Sequence, residues 1–189
     1  MHEIRPQPGR TARTRQVIGV LRRFRRDPSG ASAVEFALIA FPLILLLLAA
    51  LEVGIVYFAN FALENATSQG ARLIRTGQAQ AQKFDAAKFK SEVCKHLSAP
   101  ISCAGLRLDV RHFSKFGDAA LTEPLDGNGN LKTSFAYEPG QANEVVIVRA
   151  FYEWNLTAKL PKEIGLSNMS NGNRLLAATA AFRNEPFKN

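Results

Sequence analysis

The sequence predicts an α+β single-pass membrane protein, with a long N-terminal helix and a small domain built on an antiparallel sheet. Three observations predict it. Phe36 to Leu51 is an unbroken apolar run, FALIAFPLILLLLAAL; Glu52 interrupts it and VGIVYFA carries it on to Ala59. Basic charge is concentrated ahead of that run, with eight Arg and two acids in residues 1–30. Beyond the run, helical periodicity gives way to two-residue alternation and turn-forming residues.

The 189 residues suit one ordinary domain with appendages, and a hydrophobic fraction of 47 % argues against bulk disorder. The net charge of +8 sits mostly in the first thirty residues, which argues against a nucleic-acid-binding domain. Two cysteines exclude a disulfide-dense scaffold and a four-cysteine zinc site.

The elements follow in order. Residues 1–30 form a basic leader expected in the cytoplasm, its arginines held against anionic lipid. Residues 36–59 contain one ionisable side chain, Glu52. As a helix they span about 36 Å, enough to cross a ~30 Å hydrocarbon core. Arg22, Arg23, Arg25 and Arg26 precede the run, and the first basic residues after it are Arg72 and Arg75. The positive-inside rule then puts the N-terminus in the cytoplasm and the rest across the membrane, in a bacterium the periplasm. Two competing readings are a buried helix of a soluble protein and a cleaved secretory signal. The first does not suit a run that is apolar all round. The second needs a leader and an apolar core longer than usual, and no convincing A-x-A site precedes Glu52.

The helical pattern continues through NFALENATSQGARLIRT to a stop at Gly77, so the helix is expected over 31–77 and the periplasmic domain over 78–189. Pro42 removes one backbone donor and predicts a kink. Ala59, Ala62, Ala66 and Gly70 line one side, a face that either admits another backbone closely or belongs to an ordinary helix. A shorter amphipathic helix is expected over Asp85–Leu97, capped by Asp85, with Ala86, Phe89, Val93 and Leu97 as its stripe. Strands are expected at Leu106–Phe113, Val145–Leu156 and Leu175–Arg183, the last alanine-rich enough to be helical. Turn signals lie at Asp126–Asn130 and Pro139-Gly140. The expected core centres on Phe89, Val146, Val148, Tyr152 and a fully buried Trp154.

Cys94 and Cys103 predict a disulfide, since they are the only cysteines and lie on the oxidising side. The Cys and His spacing matches no standard zinc pattern, so no metal is expected. Asp126, Asn128 and Asn130 imitate the start of a calcium loop, but Leu131 and Tyr137 stand where Gly and Glu are needed. No nucleotide fingerprint, nucleophile elbow or HExxH is present, so neither an enzyme nor a cofactor is expected.

At the membrane entry the chain reads Gly30-Ala31-Ser32-Ala33-Val34-Glu35-Phe36. A basic leader ending in Gly, a Glu five residues after it and then a long apolar helix resemble type IV prepilins and pseudopilins. Glu-Phe after a spacer of small residues looks like the Flp (type IVb) branch. ALENAT running into GARLIRTGQA, and the terminal AFRNEPF, are similar to the TadE-like family of tight-adherence pilus systems. The resemblance implies a pseudopilin, cut after Gly30 by a prepilin peptidase so that Ala31 becomes the first residue. It implies as partners the peptidase, other pseudopilins and the Flp pilin, and the inner-membrane assembly platform, in surface adherence and biofilm formation. Glu35 and Glu52 are the candidate subunit contacts. Glu52 either pairs with a cation on a neighbour or reaches water at the bilayer edge. Two other classes stay open: an uncleaved membrane-anchored binding module, and a protein released by signal peptidase. The first residue of the mature chain distinguishes all three.

Overall fold

The computed structural model describes residues 28–156 and 166–187; the arginine leader lies outside them up to residue 27. The order is helix α1 (Pro28–Arg75), a single turn α2 (Gln78–Ala81), helix α3 (Ala86–Cys94), then strands β1 (Arg107–Phe113), β2 (Val145–Trp154) and β3 (Arg174–Arg183). The fold is therefore α+β with one long apolar N-terminal helix. Two compact units divide at residue 49–50, inside α1.

The first unit is the apolar part of α1. Pro28 occupies the first helical position, where a missing N–H costs nothing. The helix continues through Pro42 without interruption. Among the described residues no side chain covers the apolar surface here: Phe36, Leu38, Ile39 and Phe41 are each about two-thirds exposed or more. A segment that is long, apolar and bare is suited to lipid.

The second unit begins within α1. Val56, Ala59, Ala62, Leu63, Ala66, Thr67, Ala71 and Ile74 are all buried, at three- and four-residue steps. One face of α1 is therefore packed from Val56 on, while Tyr57, Phe58 and Phe61 on its other side stay exposed. The small-residue face is used inside the chain. A Cβ on Gly70 would lie 2.5 Å from Val93 Cγ2 and 3.4 Å from Phe89 Cζ, so α3 crosses α1 where side-chain volume is zero. Asp85 caps α3, accepting from Lys88 N at 2.7 Å. The helix ends at Cys94, three residues before the expected limit, and Ala86 is exposed, so its buried stripe reduces to Phe89 and Val93.

The sheet is antiparallel in the order β1-β2-β3. In register, Val110 faces Val148 and Val148 faces Ala180, while Ala150 faces Leu108 and Ala178. These residues share the face that meets α1 and α3. β3, alanine-rich as it is, is a strand, because β2 supplies its ladder. β2 is buried on both faces from Val145 to Phe151. The second face is covered by the connection 114–144, which wraps the open edge of β1. Val110 N donates to Ala136 O and Glu138 N donates to Val110 O, both at 2.9 Å. Phe135 then stacks on Phe151 with centroids 5.3 Å apart. Phe89, Val146 and Val148 are fully buried as expected, but Trp154 is only half-buried. It sits at the last position of β2, opposite Arg174, where the sheet ends and no further strand among the described residues covers it.

Candidate functional site

The residues at the membrane entry occupy the first two turns of α1. Gly30 lies in the first turn, and a Cβ there would meet no atom within 4 Å. The first four N–H groups of a helix have no intrahelical acceptor, so this turn is held by fewer backbone hydrogen bonds than the helix interior. The Gly30–Ala31 bond thus lies in the first turn of α1, with open space around Gly30 among the described residues. Ala31, Glu35 and Phe36 are exposed, Phe36 by 73 %. No ion pair to Glu35 forms among the described residues. Its carboxylate stands on a helix surface whose neighbouring side chains carry no charge.

Glu52 stands where the two units meet in sequence and is half-buried, four residues before the first buried position of α1, Val56. The two candidate contact acids are therefore unlike: Glu35 is bare, and Glu52 belongs to the edge of the folded unit.

Cys94 and Cys103 are joined by a disulfide, with Cα atoms 5.5 Å apart. The bond ties the end of α3 to the turn that feeds β1. Replacing either cysteine by Ser is expected to lower stability by about 2–3 kcal/mol, and replacing both to cost no more than one. Urea unfolding of the detergent-solubilised chain, followed by Trp154 fluorescence, measures this.

Two arrangements in the second unit were not legible as sites. The first is an ion pair across the sheet. Asp109 is fully buried and Arg149 is 7 % exposed. Arg149 Nε donates to Asp109 Oδ2 at 3.1 Å, and its Nη2 bonds the same oxygen. Arg149 Nη1 donates to Thr122 O at 3.0 Å, and Ala136 N donates to Asp109 Oδ1 at 3.2 Å. Arg111 Nε also reaches the carboxylate, at 3.2 Å. The pair thus pins the 114–144 connection to the sheet. The alternation of β1 and β2 reads these residues as a solvated face; only the register, which sets Asp109 opposite Arg149, reveals the pair.

The second is a latch at the far end of α1. Glu185 N donates to Arg75 O at 2.9 Å, and the two side chains approach to 3.6 Å. Phe187 lies against Gly77, and buried Asn184 donates to Pro139 O and Gln141 O at 3.1 and 2.9 Å. ARLIRTGQA and FRNEPF, the two segments that carried the resemblance beyond the membrane run, therefore meet in space.

Among the described residues, the charged clefts of the second unit show no convergence of nucleophile, base and oxyanion donors. His112 Nδ1 and Glu138 Oε2 are 4.0 Å apart on an exposed rim. Burial pushes the Tyr137 hydroxyl up to about 12, aided by Asp85, so it stays protonated at any physiological pH. Lys90 is lowered by burial and by nearby Arg107, and half-buried Glu92 by hydrogen bonds from Lys95 and Lys88. Among the described residues no group of three His, Cys, Asp or Glu side chains is placed to hold a metal.

Compared with known families, residues 30–72 match the family model described as TadE-like protein. The match begins at Gly30 and runs through the bare and the packed parts of α1. No curated protein and no solved structure matches the chain.

Proposed function

We propose that this chain, whose α1 supports assignment to the TadE-like family, is a pseudopilin or minor pilin of a tight-adherence (Flp) pilus system. In this reading it is a structural component and not an enzyme. It is inserted once in the bacterial inner membrane, leader inside and second unit in the periplasm. A prepilin peptidase cuts it after Gly30. It then acts with other pseudopilins, the Flp pilin and the inner-membrane assembly platform, in surface adherence and biofilm formation.

The observation that carries the reading is the head of α1. Gly30 lies in the first turn with free space around it, Glu35 follows one turn after the cut, and then come some twenty lipid-suited positions. Gly30→Leu puts bulk at the bond to be cut and is expected to leave full-length protein. Mass spectrometry of the natural chain should find Ala31 at the N-terminus. An intact leader would instead support the anchored binding module, and a start beyond about residue 50 a secreted protein.

Cleavage creates an α-amino group on Ala31, protonated near neutral pH with a reference pKa of about 7.7–8.0. In a bundle of such helices the amine of one subunit and Glu35 of the next lie at similar depth, poorly hydrated, where pairing is worth far more than in water. A register slip would leave one charge without its partner, at several kcal/mol. Glu35→Ala is therefore expected to be processed and inserted normally yet fail to support piliation. Normal pili with cleavage confirmed would remove this role.

A further inference from the structure

We propose that the groove between α1 and the start of β3 binds one phospholipid of the leaflet where α1 leaves the bilayer, with the lipid phosphate on Arg174. The groove holds about 400 Å³, within the range of small-molecule sites. Val53 and Val56 of α1 form one wall, and Leu166 and Leu176 the other. Tyr57, Asn60 and Arg174 bring polar side chains to this apolar lining.

Three observations select a phospholipid as the occupant. First is position. Ahead of Val56 α1 is largely bare, and from Val56 on one of its faces is packed, so the groove lies at the end of the uncovered apolar segment, where hydrocarbon would give way to water. Tyr57, Phe58 and Phe61 ring the same turns and are 74 %, 57 % and 64 % exposed. Aromatic side chains bare at that level are placed as an interfacial belt. Second is chemistry. An apolar cleft opening at this level is continuous with the acyl region, so the upper part of an acyl chain fills it without leaving its own phase. Third is charge. Arg174 Nη1 donates to Leu166 O at 3.0 Å, which orients the guanidinium at the rim. No carboxylate among the described residues forms an ion pair with it. A planar fork of this kind matches two oxygens of a phosphate. The inference rests on α1 being a membrane anchor, and its test separates the two ideas.

Trp154 is the sole tryptophan and stands directly opposite Arg174 in the β2–β3 ladder, so it reports on this end of the sheet. The full chain is reconstituted into vesicles of phosphatidylglycerol brominated near the carbonyl end of its acyl chains. Trp154 fluorescence is expected to fall at least twofold relative to unbrominated vesicles. Arg174→Glu should lose most of that quenching and Arg174→Lys should keep it. Equal quenching in Arg174→Glu would reduce the effect to bilayer proximity and overturn the site. Absent quenching in chain that resists carbonate extraction would also overturn the site while leaving the anchor intact. Chain extracted by carbonate would overturn both. Native mass spectrometry of the natural chain, released in mild detergent, needs no variant: one retained phospholipid is expected, and its absence would overturn the proposal.

Discussion

Asp109→Ala is expected to destabilise the second unit by about 3–5 kcal/mol, the cost of leaving a buried charge without its partner. Arg149 would keep its bond to Thr122 O but lose both bonds to the carboxylate. Ala136 N would lose its acceptor as well, which loosens the hold of the 114–144 connection on β1. Against a total stability of about 5–15 kcal/mol this is a large fraction. The physical cause predicts its own cure. Removing both charges in the Asp109→Leu/Arg149→Met pair should recover most of the loss, because no uncompensated ion then remains in the core. Urea midpoints read by Trp154 fluorescence in the natural chain, the single variant and the pair test this. A double variant as unstable as the single one would show that the loss is not one of unpaired charge.

Gly77→Ala is expected to cost about 2–4 kcal/mol, from two independent sources. Gly77 ends α1 in the left-handed region at φ 77°, which costs a residue with a Cβ about 1–2 kcal/mol. The new Cβ would also overlap the Phe187 ring, so the ring must leave and lose its burial. A double-mutant cycle separates the sources. In a Phe187→Ala background only the backbone cost remains, so Gly77→Ala should cost roughly half as much there. Equal costs in the two backgrounds would mean that Phe187 does not rest on Gly77 in solution.

What could be read in advance follows physical rules. The 36–59 run is legible because nothing but a membrane or a large core tolerates so many consecutive apolar residues. Gly77 is legible as a stop because a left-handed terminal residue favours glycine. The strand pattern of β2 is legible because Val146, Val148 and Ala150 alternate, and its partners show that this face meets the helices. Arg149 is not legible as a core residue, because alternation assigns charge to solvent and burial here depends on a connection some thirty residues long. Trp154 misleads in the opposite sense. Its size argues for the centre of the core, but its place at the end of β2 leaves it half-covered. The small face of α1 promised a close approach without naming the partner, and α3 at Gly70 supplies one from within the chain. At the candidate site, Gly30, Glu35 and the apolar run are local in sequence and so visible there. The groove at Arg174 is built from segments more than a hundred residues apart and becomes visible only in the fold.

The packed half of α1 also has a mechanical meaning. From Val56 to Ile74 the helix lies alongside β3 and runs in the same direction: Val53 and Asn60 border the first residues of β3, and Arg75 meets Glu185 just past its end. The interface is about 27 Å long at 1.5 Å per residue. A tension drawn along the helix axis therefore loads this interface in shear, so that all its contacts resist together instead of peeling one by one. The latch at Arg75, Gly77 and Phe187 closes the end farthest from the apolar stem.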